Sequence, residues 1–130
     1  MSGKLPDAAL AESSNKGGRI MRFINLTPHK IVVRLGGDVV IPASGQVARV
    51  TEQSVNAEML NGIPVVDCRL GLPIGLPEPA AGTVYIVSPM VGGAVKGRTD
   101  VVCPDTGPQS VVRDTDGKIV AVRRFRRMVG

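Results

Sequence analysis

His29 is the only histidine of the chain and sits in the string Thr27-Pro28-His29-Lys30. An imidazole with an ordinary pKa of about 6.5 can take or give a proton at neutral pH. A small hydrolase built on it needs a hydroxyl nucleophile, such as Ser44 or Ser88, and an orienting aspartate. No G-x-S-x-G elbow is present. The plainer reading, a turn histidine whose ring hydrogen-bonds a carbonyl, ranks ahead.

The arginines are stronger candidates. Arg34, Arg49, Arg69, Arg98, Arg113, Arg123 and Arg124 fall on or beside strand-like segments. A guanidinium fork grips phosphate or carboxylate with two parallel hydrogen bonds, so several converging on one face make an anion site. For any single arginine, an ion pair with Glu52, Glu78 or an aspartate is the competing assignment. Asp105-Thr106-Gly107 places a carboxylate, a hydroxyl and a glycine in one loop, a set that fits a ribose, a metal or an Asx-turn. Asp114-x-Asp116-Gly117 lacks the later ligands of a calcium loop and reads as a turn. The candidate ligand-binding residues are Asn25, His29, Arg49, Arg98, Asp105, Thr106 and Arg113. No catalytic residue, metal ligand or cofactor is assigned.

Several chemistries lack their residues. There is no phosphate-cradling Walker loop and no dinucleotide fingerprint. Only Phe23, Tyr85 and Phe125 could stack on bases, which argues against single-stranded nucleic acid as a partner. Cys68 and Cys103 make no zinc or disulfide pattern, and both are expected to be buried thiols. No apolar run is long enough for a membrane helix, and no secretory h-region follows Lys4.

The elements that must position these residues are short and strand-like. Of the 130 residues, 43% are hydrophobic, dominated by Val, Ile, Leu and Ala, and 16 glycines and 10 prolines break the chain often. Stiff β-branched side chains between frequent breaks suit a pleated sheet. Strands are expected over residues 22–26, 30–35, 39–41, 46–51, 63–70, 83–88, 101–103, 111–113 and 118–125. Thr83–Ser88 is the cleanest buried one. Residues 52–61 read as strand with a helical turn near 56–60, and 90–96 as one or two helical turns. Residues 71–82, with three prolines, read as a surface loop. The expected fold is mainly β, a compact small barrel or sandwich of about eight short strands. Residues 1–20 are polar and aperiodic and read as a flexible arm before a single domain at 21–130; Met21 is a second plausible start.

The formal charge is +5. Residues 118–130 carry Lys118, Arg123, Arg124, Arg126 and Arg127 and no acid. A basic end attracts an anionic ligand, nucleic acid or an acidic surface, or simply keeps a strand end solvated.

From Met21 onward the blocks INLTPH (24–29), PASGQVARV (42–50), GLPEP (75–79), GTVYIVS (82–88), RTDVVCPDTGP (98–108) and VVRDTDGKIVAVRRF (111–125) resemble small proteins encoded in phage and prophage genomes. The resemblance spans nearly all of the chain after the arm and carries no catalytic residue with it. It implies a phage context, hence a host bacterial cytoplasm or a virion. Within that context the first expectation is a non-enzymatic accessory protein that binds an anionic small molecule, for instance sequestering a nucleotide signal of host defence. Such proteins oligomerise to build pockets between chains, so a homo-oligomer is expected. The alternative is a virion decoration or head–tail accessory protein, whose partners are phage or host proteins. The hydrolase using His29 ranks last.

Overall fold

A computed structural model describes residues 19–130; the arm expected at 1–20 lies almost wholly outside them. The elements follow as β1 (Arg22–Asn25), β2 (Ile31–Arg34), β3 (Asp38–Ile41), β4 (Arg49–Leu60), β5 (Ile63–Ile74), β6 (Thr83–Ile86), α1 (Pro89–Ala94), β7 (Val101–Pro104), β8 (Val111–Arg113), β9 (Ile119–Val122) and β10 (Phe125–Arg126). The protein is mainly β, and its sheets are open. The closed-barrel form of the expectation is not adopted; the layers stack as in a sandwich.

The first sheet runs β1-β6-β7-β10, with β1, β6 and β7 parallel and β10 antiparallel to β7. Parallel strands buried on both faces read as continuous apolar runs, and every residue of β6 is buried. The period of two divides its side chains between two cores. Tyr85 and Val87 join Leu26, Ala48, Val91, Val101 and Cys103 on one side. Val84 and Ile86 join Val33, Ile41, Val102 and Val122 on the other. The first core is covered by α1. The second is covered by the second sheet, β3-β2-β9-β8, in which β2 and β9 are parallel and the outer pairs antiparallel.

Helix α1 starts where its residues dictate. Ser88 is the N-cap and accepts from the Val91 N–H at 3.3 Å, and Pro89 follows it, where a missing N–H is harmless. The Pro-rich loop behind β5 is tied down by the Tyr85 hydroxyl, which donates to the Glu78 carbonyl at 3.2 Å, and by Arg98, which donates to the Pro77 carbonyl at 3.1 Å.

Three expectations need correction. Residues 52–61 hold no helical turn: β4 and β5 are twelve residues each and pair antiparallel through the tip Asn61-Gly62. Both tip residues have positive φ, 53° and 79°, as a type I′ hairpin turn requires. The expected loop at 71–82 begins late, because β5 continues through Pro73 to Ile74. A two-stranded ribbon leaves each strand one free edge, so a proline there need not break the ladder. Residues 118–125 are not one strand. After Val122 the chain leaves the second sheet and enters the first as β10.

Candidate functional site

The candidate residues are divided among different surroundings. Asn25 is buried and spends its amide on the fold. Its Nδ2 donates to the His29 carbonyl at 2.9 Å and the Ile41 carbonyl at 3.1 Å, while Oδ1 accepts from the Thr27 N–H and hydroxyl at 2.9 and 2.7 Å. That network explains the Asn-x-Thr-Pro-His block: it turns the chain from β1 towards β2. His29 is exposed, and the structure uses its carbonyl rather than its ring. Among the described residues no serine or carboxylate hydrogen-bonds that ring, as the hydrolase reading needs.

Arg98 grips Asp100 with both arms of its fork, Nε to Oδ1 at 2.9 Å and Nη2 to Oδ2 at 2.6 Å. Asp105 accepts from Arg124 Nε at 2.6 Å and from the Gly107 N–H at 2.9 Å, closing an Asx-turn. Arg124 holds its carboxyl below the usual carboxylate range, helped by the Gly107 N–H. Both acids are therefore occupied. Arg113 donates to the Gly117 carbonyl at 2.7 Å and steadies the turn of the β8–β9 hairpin. Thr106 and His29 line one groove between β2 and β9, Thr106 and Arg113 line a second depression, and Arg49 lines a third beside the start of α1. Cys103 is buried as expected, and burial pushes its thiol up; Cys68 is exposed on β5, which corrects the other half of that expectation.

A different set of residues does converge. A depression of about 400 Å³ is lined by Arg19, Met21, Phe23, Val84, Val102, Phe125, Arg126 and Arg127. Phe23 lies on β1 and Phe125 on β10, the two edges of the first sheet. Their rings meet at 5.4 Å between centroids, tilted by 55°. They do so over the Val84 and Val102 side chains of the inner strands, on the face that packs against the second sheet. The apolar floor is thus an extension of the core, and the three arginines stand exposed around it. Among the described residues no carboxylate lines the depression, and none of the three arginines forms an ion pair. This arrangement offers ring faces to a flat apolar group and unspent guanidinium forks to an anion. The sequence shows the charge of Arg126 and Arg127 but not their partners, because Phe23 and Phe125 come together only through sheet order.

Among the described residues no group of three His, Cys, Asp or Glu side chains could hold a metal ion. No helix of the described residues is long and apolar enough to cross a membrane. No family model, curated protein or solved structure matches the chain.

Proposed function

We propose that this protein is a non-enzymatic binding protein for a small anionic ligand with a flat ring, a nucleotide-type molecule, in a phage context where it sequesters a signal of host defence. The carrying observation is the two-phenylalanine floor rimmed by Arg19, Arg126 and Arg127 with no acid among the described residues of the lining. Its volume of about 400 Å³ falls within the ordinary range of small-ligand pockets, roughly 300–1,000 Å³. The base would lie on the rings and the phosphates against the guanidinium groups. The resemblance of the sequence blocks supports the phage context. The site differs from the one expected at Asn25, His29, Arg49, Arg98, Asp105, Thr106 and Arg113.

The test is calorimetric titration with a panel of linear and cyclic nucleotides, followed by chromatography of the ligand. The expected result is saturable binding with the ligand recovered intact. Arg126→Ala with Arg127→Ala should weaken it at least tenfold, since each lost charged hydrogen bond costs about 1.5–3 kcal/mol. Phe125→Leu should weaken it less. Silence across the panel, or binding unchanged in the double arginine variant, overturns the reading.

A second reading, a virion decoration or head–tail accessory protein, is favoured by one observation: the long exposed β4–β5 hairpin. It predicts that the protein copurifies with particles.

A further inference from the structure

The β4–β5 hairpin is unusual in what it leaves uncovered. At about 3.4 Å per residue its twelve-residue strands reach roughly 40 Å. Its base is anchored: Val50 packs on the first core, and α1 leans on both strands. Gly75, with φ of 83° and no room for a Cβ beside the Val47 carbonyl, ends β5 tightly against the body. Beyond the base almost every residue is exposed. Met59 and Ile63 are 62% and 64% exposed, and Val55, Leu60, Val66 and Leu72 are open as well. A two-stranded ribbon with apolar side chains in water is marginal by itself.

The pairing register shows how the apolar side chains are distributed. Leu60 faces Ile63, Met59 faces Pro64, and Asn56 faces Val66, with a register shift between Asn56 and Glu58. Because side chains alternate, the tip is apolar on both faces. A flat surface would cover one face. A cleft covers both.

The body offers an apolar groove. Strands β2 and β9 are in register at a single pair, Val33 and Val122. A groove of about 660 Å³ is lined by Ile31 and Val32 of β2 and by Ile119 and Val120 of β9. Among the described residues its lining includes His29 and Lys30 and no acid. Across β4 and β5, Glu52, Glu58 and Asp67 outnumber Arg49 and Arg69, and the stretch beyond them towards the tip, residues 54–68, holds Glu58 and Asp67 and no Lys or Arg. The rest of the chain is correspondingly more basic than its total of +5.

We infer that the hairpin is a self-association arm, and that its tip seats in the β2–β9 groove of a second copy of this chain. Two observations choose a second copy over another partner. The first is charge: an acidic, apolar tip matches a basic, apolar groove of the same chain. The second is area. The five exposed apolar side chains of the outer half, Val55, Met59, Leu60, Ile63 and Val66, at roughly 90 Å² each, come to about 450 Å² per arm; in a reciprocal dimer each copy supplies an arm and a groove, roughly 900 Å² per partner, within the roughly 600–1,000 Å² of a stable interface. Reciprocal seating of two arms closes a twofold dimer.

The experiment is light scattering on the full chain over a hundredfold concentration range. The expected result is a mass at twice 13.6 kDa. Met59→Glu with Ile63→Glu, and separately Val120→Glu, should each give monomer with unchanged circular dichroism and melting. These positions are exposed, so the substitutions spare the cores. Mixing the tip variant with the groove variant should restore a dimer, because one intact tip then meets one intact groove. A wild-type monomer at all concentrations overturns the inference. So does a dimer that survives either substitution, a mixture that stays monomeric, or a monomer whose tip binds lipid vesicles instead. Nucleotide binding is read separately, so failure of one proposal leaves the other standing.

Discussion

The Asp105 side chain is 7% exposed while its partner Arg124 is 58% exposed, so the pair is an acid embedded in a loop and covered by an arginine reaching over it. Asp100 is a second such acid, held by Arg98. Arg98 lowers the Asp100 carboxyl, and Arg124 followed by the Gly107 N–H lowers that of Asp105. A lowered folded-state pKa means that the unfolded chain takes up protons first as pH falls. Both acids therefore contribute stability that is fully present above the unfolded carboxylate value of about 3.9 and is lost as pH drops through the folded values. The melting temperature is expected to fall steeply below about pH 4. Asp105→Asn should melt lower at neutral pH and show a shallower acid limb, read by melts across the acid range. An acid limb as steep as that of the wild type would show that the carboxylate is not linked to folding. Part of this was legible in the sequence: Asp105-Thr106-Gly107 reads as an Asx-turn, and the structure closes one. Arg124 as the partner was not, because β7 and β10 become neighbours only through the strand crossing between sheets.

Among the elements, the strands that follow simple alternation were readable and the ribbon was not. Thr83–Ile86 is fully buried, as its unbroken apolar run implies. Residues 52–61 mix Glu, Gln, Ser, Asn and Ala with Val and Met. That composition has no single buried face, because the ribbon has none. Helix α1 was legible as a short apolar stretch with a glycine pair, and the structure gives Gly92 a reason. A Cβ there would stand 2.5 Å from Cys103 Sγ and 3.2 Å from Met128 Cγ, so α1 lies on β7 at a distance only glycine permits. Gly92→Ala is expected to destabilise by about 1–3 kcal/mol through overpacking, despite the better helix propensity of alanine. Cys103→Ala alone leaves a small void in the first core. Combined with Gly92→Ala it should recover much of the loss, because the new methyl fills the space that the sulfur leaves. Denaturant melts of the four proteins measure the coupling; strictly additive losses would mean that α1 moves away instead.

For the molecule as a whole, the two cores and the ribbon are separable in physical terms. The buried residues of both cores come from β2, β3, β6, β7, β9, α1 and the neighbouring Leu26, Ala48 and Val87, with Phe23 and Ile24 of β1 and Phe125 of β10 packed alongside. The outer ribbon supplies none; only Val50, at its base, reaches the first core. Burial of apolar surface is the main favourable term in folding, so the body should not need the ribbon to fold. Replacing residues 53–69 by Asn-Gly joins Glu52 to Leu70, which already face each other in the ladder. The shortened chain is expected to remain folded, with a melting temperature within about 5 °C of the parent, a shift worth about 1 kcal/mol for a domain of this size. It should keep the Phe23–Phe125 depression, which draws no residue from β4 or β5, so the proposed nucleotide binding should be retained and the proposed self-association lost. Unfolding of the shortened chain would make the ribbon part of the folding unit and leave its exposed side chains to be explained by the lone body. A folded body that still binds ligand would put ligand capture and assembly on different parts of one small chain: capture at the edges of the first sheet, assembly along a ribbon roughly 40 Å long.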